Sequence, residues 1–265
     1  MDVKVGDIKI TNPDKIIDGK TKKIDVIRYY EKVWQKMMPF LSDRYLSEIR
    51  CHNKFNDCFF TKHDKNSDSL LNISTLNDLI YHAQLGTIEF HTYAYKISKP
   101  TKPDIMVFDL DPDEKLNILA VREGVLCLKE VLDNLSLKSF VKTSGGKGYH
   151  IVVPFSNSNS WKNFEAFSQN LALYMEKTYP KLFTTTISKS ARAGKIFIDY
   201  LRNKKGSTCV APYSLRSRKN LPISMPISWK DVKYIKPNEV NIHNVDDFIK
   251  SNPWKDFYKL DQMLK

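Results

Sequence analysis

The sequence predicts a mixed α/β (α+β) fold, because two kinds of segment alternate along it. Four stretches repeat apolar residues at the three-to-four spacing of a helix, and short apolar runs bounded by Gly, Pro and Asn lie between them. With 265 residues, 42% of them hydrophobic, the chain can bury one large core or two modest ones. Lysine and arginine outnumber aspartate and glutamate by 42 to 30, a formal charge of +12. An excess of that size points to a polyanionic partner, either nucleic acid or a membrane surface. No apolar run approaches the ~18 residues of a membrane span and no signal segment is visible, so the expected setting is cytoplasmic, with no membrane. The four cysteines include no Cys-x-x-Cys pair and are expected to be reduced thiols.

Taken in order, Thr11-Asn12-Pro13-Asp14-Lys15 is a turn rich in Pro and Asx chemistry, and Lys20, Lys22 and Lys23 follow. A lysine cluster of this kind is either a solvated face or a phosphate site. From Asp25 to Phe40 the positions Val26, Tyr29, Tyr30, Val33, Met37 and Phe40 keep helical spacing. Tyr45 to Arg50 and Asp57 to Lys62 read as strands of a hairpin. Between and beside them Cys51, Cys58, His52 and His63 match no standard zinc spacing. Adjacent aromatics on a strand face opposite ways, so one of Phe59 and Phe60 is expected in the core. The other is expected exposed beside Lys62, as a base-stacking surface would be. Ser74 is a plausible cap for a helix that stops at Gly86. The strand Thr87 to Tyr95 alternates, with Ile88 and Phe90 on one face and Glu89, His91 and Tyr93 on the other. Pro100 and Pro103 then mark a crossover.

Beyond it, Met106 to Pro112 reads as a short buried strand, Ile118 to Leu135 as a long helix and Lys138 to Lys142 as a strand. A helix runs from Trp161 to Tyr179, capped by Ser160. Basic residues crowd the next stretch, including Lys189, Arg192, Lys195, Arg202, Lys204 and Lys205. Two strands are expected within it, Lys195 to Tyr200 and Val210 to Leu215, and short helices near 245–250 and 254–264.

Three features carry chemistry. Asp109 and Asp111 lie two apart on one strand, so their carboxylates share a face about 6 to 7 Å apart. That is either a cation site for Mg²⁺ or Mn²⁺ or a strand end followed by an acidic turn. Thr143-Ser144-Gly145-Gly146-Lys147-Gly148-Tyr149-His150 places three glycines around a lysine, in a loop whose N–H groups can approach phosphate oxygens. It is not a Walker A loop, because a strand follows it, and a plain glycine-rich hairpin is the alternative. Asp199 repeats the arrangement of Asp109, a carboxylate at the end of an apolar run. Together they suit nucleotidyl transfer, with Asp109, Asp111 and Asp199 on metal and Ser144, Lys147, His150 and Arg216 on a triphosphate.

Phe108-Asp109-Leu110-Asp111-Pro112, the 143–150 loop and Asp199 resemble the three motifs of the archaeo-eukaryotic primase-polymerases. The runs 192–199 and 211–218 narrow the resemblance to the polymerase domain of bacterial ATP-dependent DNA ligase D and its stand-alone relatives. The likeness extends from Thr11 to about Trp229. It implies a catalytic sheet of RNA-recognition-motif type, with a second α/β subdomain around a central cleft. It also implies a template-directed polymerase and primase of non-homologous end joining. Such an enzyme uses two Mn²⁺ or Mg²⁺ ions, favours ribonucleotides, and fills gaps next to a 5′-phosphate with Ku and a DNA ligase as partners. By the same resemblance Asn12, Lys15 and Lys23 would bind the 5′-phosphate, Phe59 and Phe60 would stack on template, and His91 and Arg192 would line the nucleotide pocket. The expected organisation is one domain with soft divisions at 1–100 (5′-phosphate and template contacts), 101–228 (catalysis) and 229–265 (packing helices). Two rivals remain from the residues alone: a two-metal nuclease, which needs no triphosphate donors, and a non-catalytic end-binding module, which needs no carboxylates.

Overall fold

Residues 106–112 do form a strand, Ile105–Pro112, and it runs inside a six-stranded sheet. The computed structural model describes residues 3–64 and 69–264. Its chain forms two units with interleaved segments. Unit 1 takes Met1–Tyr93, Val210–Met225 and Val240–Ser251, and unit 2 takes Ala94–Cys209, Pro226–Glu239 and Asn252–Lys265. The chain passes between the units at 93/94, 209/210, 225/226, 239/240 and 251/252.

In unit 1, two short hairpins, β1 (Lys4–Val5) with β2 (Ile8–Lys9) and β3 (Ile16–Asp18) with β4 (Thr21–Lys22), precede helix α1 (Lys23–Leu41). The helix begins two residues before the expected start because the Asp25 carboxylate accepts from the Lys22 N–H at 2.7 Å. Its expected stripe is buried, and Tyr29 and Tyr30 also satisfy their hydroxyls by donating to the carbonyls of Tyr213 and Ile88. The sheet is centred on β5 (Tyr45–Cys51). It pairs with β8 (Thr87–Tyr93) on one side, and with β6 (Cys58–Thr61) and β7 (Leu71–Asn72) on the other. Helix α2 (Leu76–Gln84) is capped by Thr75, not Ser74, through a reciprocal pair with Asp78 at 3.1 and 2.7 Å.

Two sequence expectations fail in the β5–β6 hairpin. Cys51 and Cys58 are register partners and form a disulfide, so they are not reduced thiols; a seven-residue separation hides that they face each other. Phe59 and Phe60 are both exposed, at 41% and 52%, on β6, the edge strand of the sheet. His52 stacks on Phe59 with ring centroids 4.7 Å apart.

Beneath β5 lies a closed ionic cluster. Glu48 is fully buried and accepts from Arg50 Nε and Thr87 Oγ1, each at 2.8 Å, while His82 Nδ1 lies 2.7 Å from its other oxygen. Burial alone would raise its pKa, yet His82 and Arg50 hold it below the ordinary 4.5. A depressed folded pKa contributes stability that is present above the unfolded value and lost as the pH falls through the folded one. Glu48→Ala, which strands buried cationic partners, is expected to cost about 3–5 kcal/mol in urea unfolding at pH 7, and the wild-type advantage should shrink below pH 4.5. A cost under about 1 kcal/mol would rule out the cluster as a stabilising unit.

In unit 2 the six-stranded sheet has the order β12-β13-β9-β11-β10-β15. Its strands are β9 (Ile105–Pro112), β10 (Phe140–Thr143), β11 (Tyr149–Pro154), β12 (Phe183–Thr184), β13 (Ile196–Asp199) and, after β14 (Thr208–Val210), β15 (Pro226–Ile227). Helix α3 (Ile118–Asn134) buries Val121, Val125, Leu128 and Leu132, as its spacing predicts. Helix α4 (Trp161–Thr178) is capped as expected by Ser160, which accepts from the Asn163 N–H at 3.2 Å. The tail helices are single 3₁₀ turns, Val245–Asp247 in unit 1 and Phe257–Lys259 in unit 2. Pro253 separates them, and the second segment serves as an anchor: Trp254 Nε1 donates to the Val141 carbonyl at 3.1 Å and stacks on Phe257. Tertiary packing there overrides helical spacing.

Candidate active site

Strand register builds the site. Asp199 on β13 lies opposite Asp109 on β9, His150 on β11 lies opposite Asp109 on its other side, and Lys142 on β10 lies opposite His150. Residues opposite one another across antiparallel strands share a face, so Asp199, Asp109, His150 and Lys142 form one row across four strands. Asp111, two residues on from Asp109, shares that face one step along β9. The glycine-rich loop joins β10 to β11 at the end of the row.

The row is tied by ionic contacts. Arg202 bridges two carboxylates, with Nε 3.1 Å from Asp199 and 3.7 Å from Asp109, and Arg192 Nη1 lies 3.3 Å from Asp111. His150 Nε2 is 3.3 Å from Asp109, and Lys142, only 2% exposed, places Nζ 2.9 Å from His150 Nδ1. An ammonium can only donate, so Nδ1 accepts and the proton of a neutral His150 sits on Nε2, toward Asp109. Cys209 Sγ approaches the same Nδ1 at 3.4 Å. Burial and then the negative charge of Asp109 push the Asp111 carboxyl above its usual range. Burial also raises Asp199, and Arg202 offsets part of that rise.

Ser144 shapes the loop: its Oγ accepts from the Gly146 and Gly148 N–H groups at 3.0 and 3.3 Å. Gly145 adopts φ +66°, and Lys147 pairs with Glu114 of the acidic turn. Gly148 passes so close to β9 that a Cβ there would sit 1.7 Å from the Leu110 carbonyl oxygen. Among the described residues no three His, Cys, Asp or Glu side chains are gathered tightly enough to hold an ion as they stand. The donor chemistry nonetheless fits a hard divalent cation. Three carboxylates line one sheet face, and the groups between them are guanidinium cations that an ion would replace.

The remaining expected residues lie in unit 1. The backbone brings Asn12, Lys15 and Lys23 together: the Lys15 N–H donates to the Asn12 carbonyl at 3.1 Å, and the Lys23 N–H to the Lys15 carbonyl at 2.8 Å. Lys15 and Lys23, with His52 and Gln84, line a cavity of about 100 Å³. Burial and the like charge of Lys15 lower Lys23 to about 8. His91 and Arg216 meet on a residue with no role assigned from sequence, Glu89, whose Oε2 lies 2.9 Å from both His91 Nε2 and Arg216 Nε. Glu89 is buried although it shares a strand face with the polar His91. Lys142, Arg202 and Cys209 were likewise missed. Register opposite His150 would have found Lys142, and the i,i+3 spacing from Asp199 would have found Arg202.

The model of the LigD primase-polymerase domain family matches residues 22–255. The chain belongs to the LigD primase-polymerase family. It is 30% identical over 274 residues to the multifunctional non-homologous end joining protein LigD of Pseudomonas aeruginosa, covering 94% of this chain and 33% of that protein. The bifunctional non-homologous end joining protein LigD of Bacillus subtilis is 30% identical over 271 residues, covering 95% of this chain and 44% of the relative. The chain thus spans less than half the length of these LigD proteins. The polymerase domain of Mycobacterium tuberculosis ligase D, solved in complex with DNA, superposes with a TM-score of 0.88 at 25% identity, covering 96% of this chain and 99% of that one. The mixed α/β architecture is that of the LigD polymerase domain, and this LigD family is divalent-metal dependent. Among the described residues no helix is long and apolar enough to cross a membrane.

Proposed function

We propose that this chain is a template-directed DNA primase-polymerase that extends ends and fills gaps at double-strand breaks. It adds ribonucleotides next to a downstream 5′-phosphate. It works with Ku and an ATP-dependent DNA ligase in non-homologous end joining, in the cytoplasm at the nucleoid. The observation that carries the reading is the row Asp199, Asp109, His150, Lys142 with Asp111 beside it. An anionic row that meets the N–H of an imidazole and a buried lysine amine suits a reaction between a hydroxyl and a polyphosphate.

Asp109, Asp111 and Asp199 would hold two Mn²⁺ or Mg²⁺ ions. When bound, such ions activate the primer 3′-hydroxyl and offset charge on the departing pyrophosphate. His150 presents its Nε2 proton to a phosphate oxygen, with Lys142 fixing that tautomer from behind. Ser144, whose Oγ accepts from the Gly146 and Gly148 N–H groups and so holds the loop's turn, donates its O–H to the triphosphate, and Lys147, released from Glu114, adds a cation. Arg192 braces Asp111, and its guanidinium lies 3.6 Å over the Phe197 ring. On unit 1, His91 and Arg216 contact the nucleotide, Phe59 and Phe60 stack on template bases, and Asn12, Lys15 and Lys23 take the 5′-phosphate.

Purified protein with Mn²⁺ is expected to add templated ribonucleotides to a gapped duplex bearing a downstream 5′-phosphate. Absence of extension under those conditions, with DNA bound, would refute the reading. Lys15→Ala should lower the preference for the phosphorylated over the unphosphorylated gap by about 10-fold or more, the scale of one charge-assisted hydrogen bond. Equal binding of the two gaps by the wild type would remove the phosphate pocket from the account.

A further inference from the structure

Two Glu-His-Arg clusters sit in unit 1, and they differ in one respect. Around Glu48 all three members are sealed, with Glu48 at 0%, His82 at 4% and Arg50 at 6% exposure. Around Glu89 the carboxylate is sealed but its two partners are not. The Glu89 side chain is 5% exposed, whereas those of His91 and Arg216 each keep 17%. The first cluster closes on itself, as a structural ion cluster does. The second holds a guanidinium and an imidazole, each partly open to solvent, from a buried anchor.

The anchor is fully engaged. Oε2 of Glu89 lies 2.9 Å from both His91 Nε2 and Arg216 Nε, and Oε1 accepts from the Ser217 N–H at 2.8 Å and Ser217 Oγ at 2.7 Å. Four contacts match the four lone-pair sites of a carboxylate. Two strand residues, Glu89 and His91, are thereby locked to a segment more than 120 residues later, Arg216 and Ser217. Arg216 is a long side chain with several rotatable bonds, and ordering it only when ligand arrives would weaken binding.

We infer that Glu89 is a positioning residue for nucleoside triphosphate: it touches no substrate, but fixes His91 and Arg216 in one arrangement before the nucleotide arrives. The inference rests on the proposed reading that His91 and Arg216 bind the nucleotide. A group that acts only by preorganising binding affects ground state and transition state alike, so its loss raises KM and leaves kcat nearly unchanged.

The test is single-ribonucleotide addition to a gapped duplex with Mn²⁺, using the full chain. It compares wild type, Glu89→Gln, Arg216→Ala, His91→Ala and the Glu89→Gln/Arg216→Ala double variant, with the melting temperature of each. Glu89→Gln is expected to raise KM for the nucleotide about 10-fold with kcat within about 3-fold, and to add less in the Arg216→Ala background than alone. Should Glu89→Gln not fold, Ser217→Ala removes one anchoring bond without burying a charge and is expected to raise KM about 2- to 5-fold. An unchanged KM in Glu89→Gln, or in Ser217→Ala where that is the folded variant, while Arg216→Ala raises it, would overturn the inference and leave the nucleotide-binding reading standing. So would fully multiplicative effects in the double variant. An unchanged KM in both Arg216→Ala and His91→Ala would overturn that reading, and the inference with it.

Discussion

Asp109→Ala is expected to lower templated nucleotide addition by about 10³-fold or more while leaving DNA affinity within a few-fold of wild type. Asp109 is the centre of the row, flanked by Asp199 on one neighbouring strand and His150 on the other, so no other single position touches both. Removing it takes a ligand from the cation and the partner of His150 Nε2 together. The fold should tolerate the change, because the negative charge of Asp109 is one of the influences that push Asp111 and Asp199 upward. DNA affinity should persist because the formal charge of the chain, already +12, becomes one unit more positive. Extension at the wild-type rate by the variant would dissolve the site assignment.

Gly148→Ala is expected to be the most damaging small substitution in the molecule. An added Cβ would lie 1.7 Å from the Leu110 carbonyl oxygen and 2.9 Å from Pro112 Cδ, and Leu110 sits between Asp109 and Asp111 inside the sheet. Backbone there cannot retreat as a surface side chain could. Either the glycine-rich loop leaves β9 or β9 shifts and carries both carboxylates with it. Urea unfolding should show a loss of about 3 kcal/mol or more, at the upper end for overpacking. Nucleotide addition should fall about 10²-fold, since a misplacement of about 1 Å is enough for that. A loss below about 1 kcal/mol with full activity would mean that the loop and the acidic strand are not mutually registered.

How much of this was legible in the sequence depended on the range of the interaction. Period two put Asp109 and Asp111 on one face, helical spacing marked α1, α3 and α4, and Ser160 marked its own cap. Each of those readings concerns residues within a few positions of one another. The meeting of Asp199 with Asp109 depends on register between strands 90 residues apart, which no local pattern encodes, whereas Lys142 opposite His150 and Arg202 three residues after Asp199 lie within local reach. Alternation put Glu89 on one face with His91 and Tyr93, but alternation shows which residues share a face, not whether that face is covered, and Glu89 is buried. Phe59 and Phe60 failed in the opposite sense: strand alternation implies one buried face, and on this edge strand both aromatic side chains are exposed. Cys51 and Cys58 pair because a hairpin aligns them, a fact of tertiary register again.

The central claim is that Asp109, Asp111 and Asp199 converge on divalent ions beside a triphosphate. Crystals grown with Mn²⁺ and a non-hydrolysable ribonucleoside triphosphate, measured for the anomalous signal of manganese, test it most directly. Two manganese peaks coordinated by those three carboxylates are expected, with Arg202 turned away from Asp199 and phosphate oxygens against His150 and the 143–150 loop. Manganese bound elsewhere, or a nucleotide seated in the crystal with no manganese at Asp199, would contradict it.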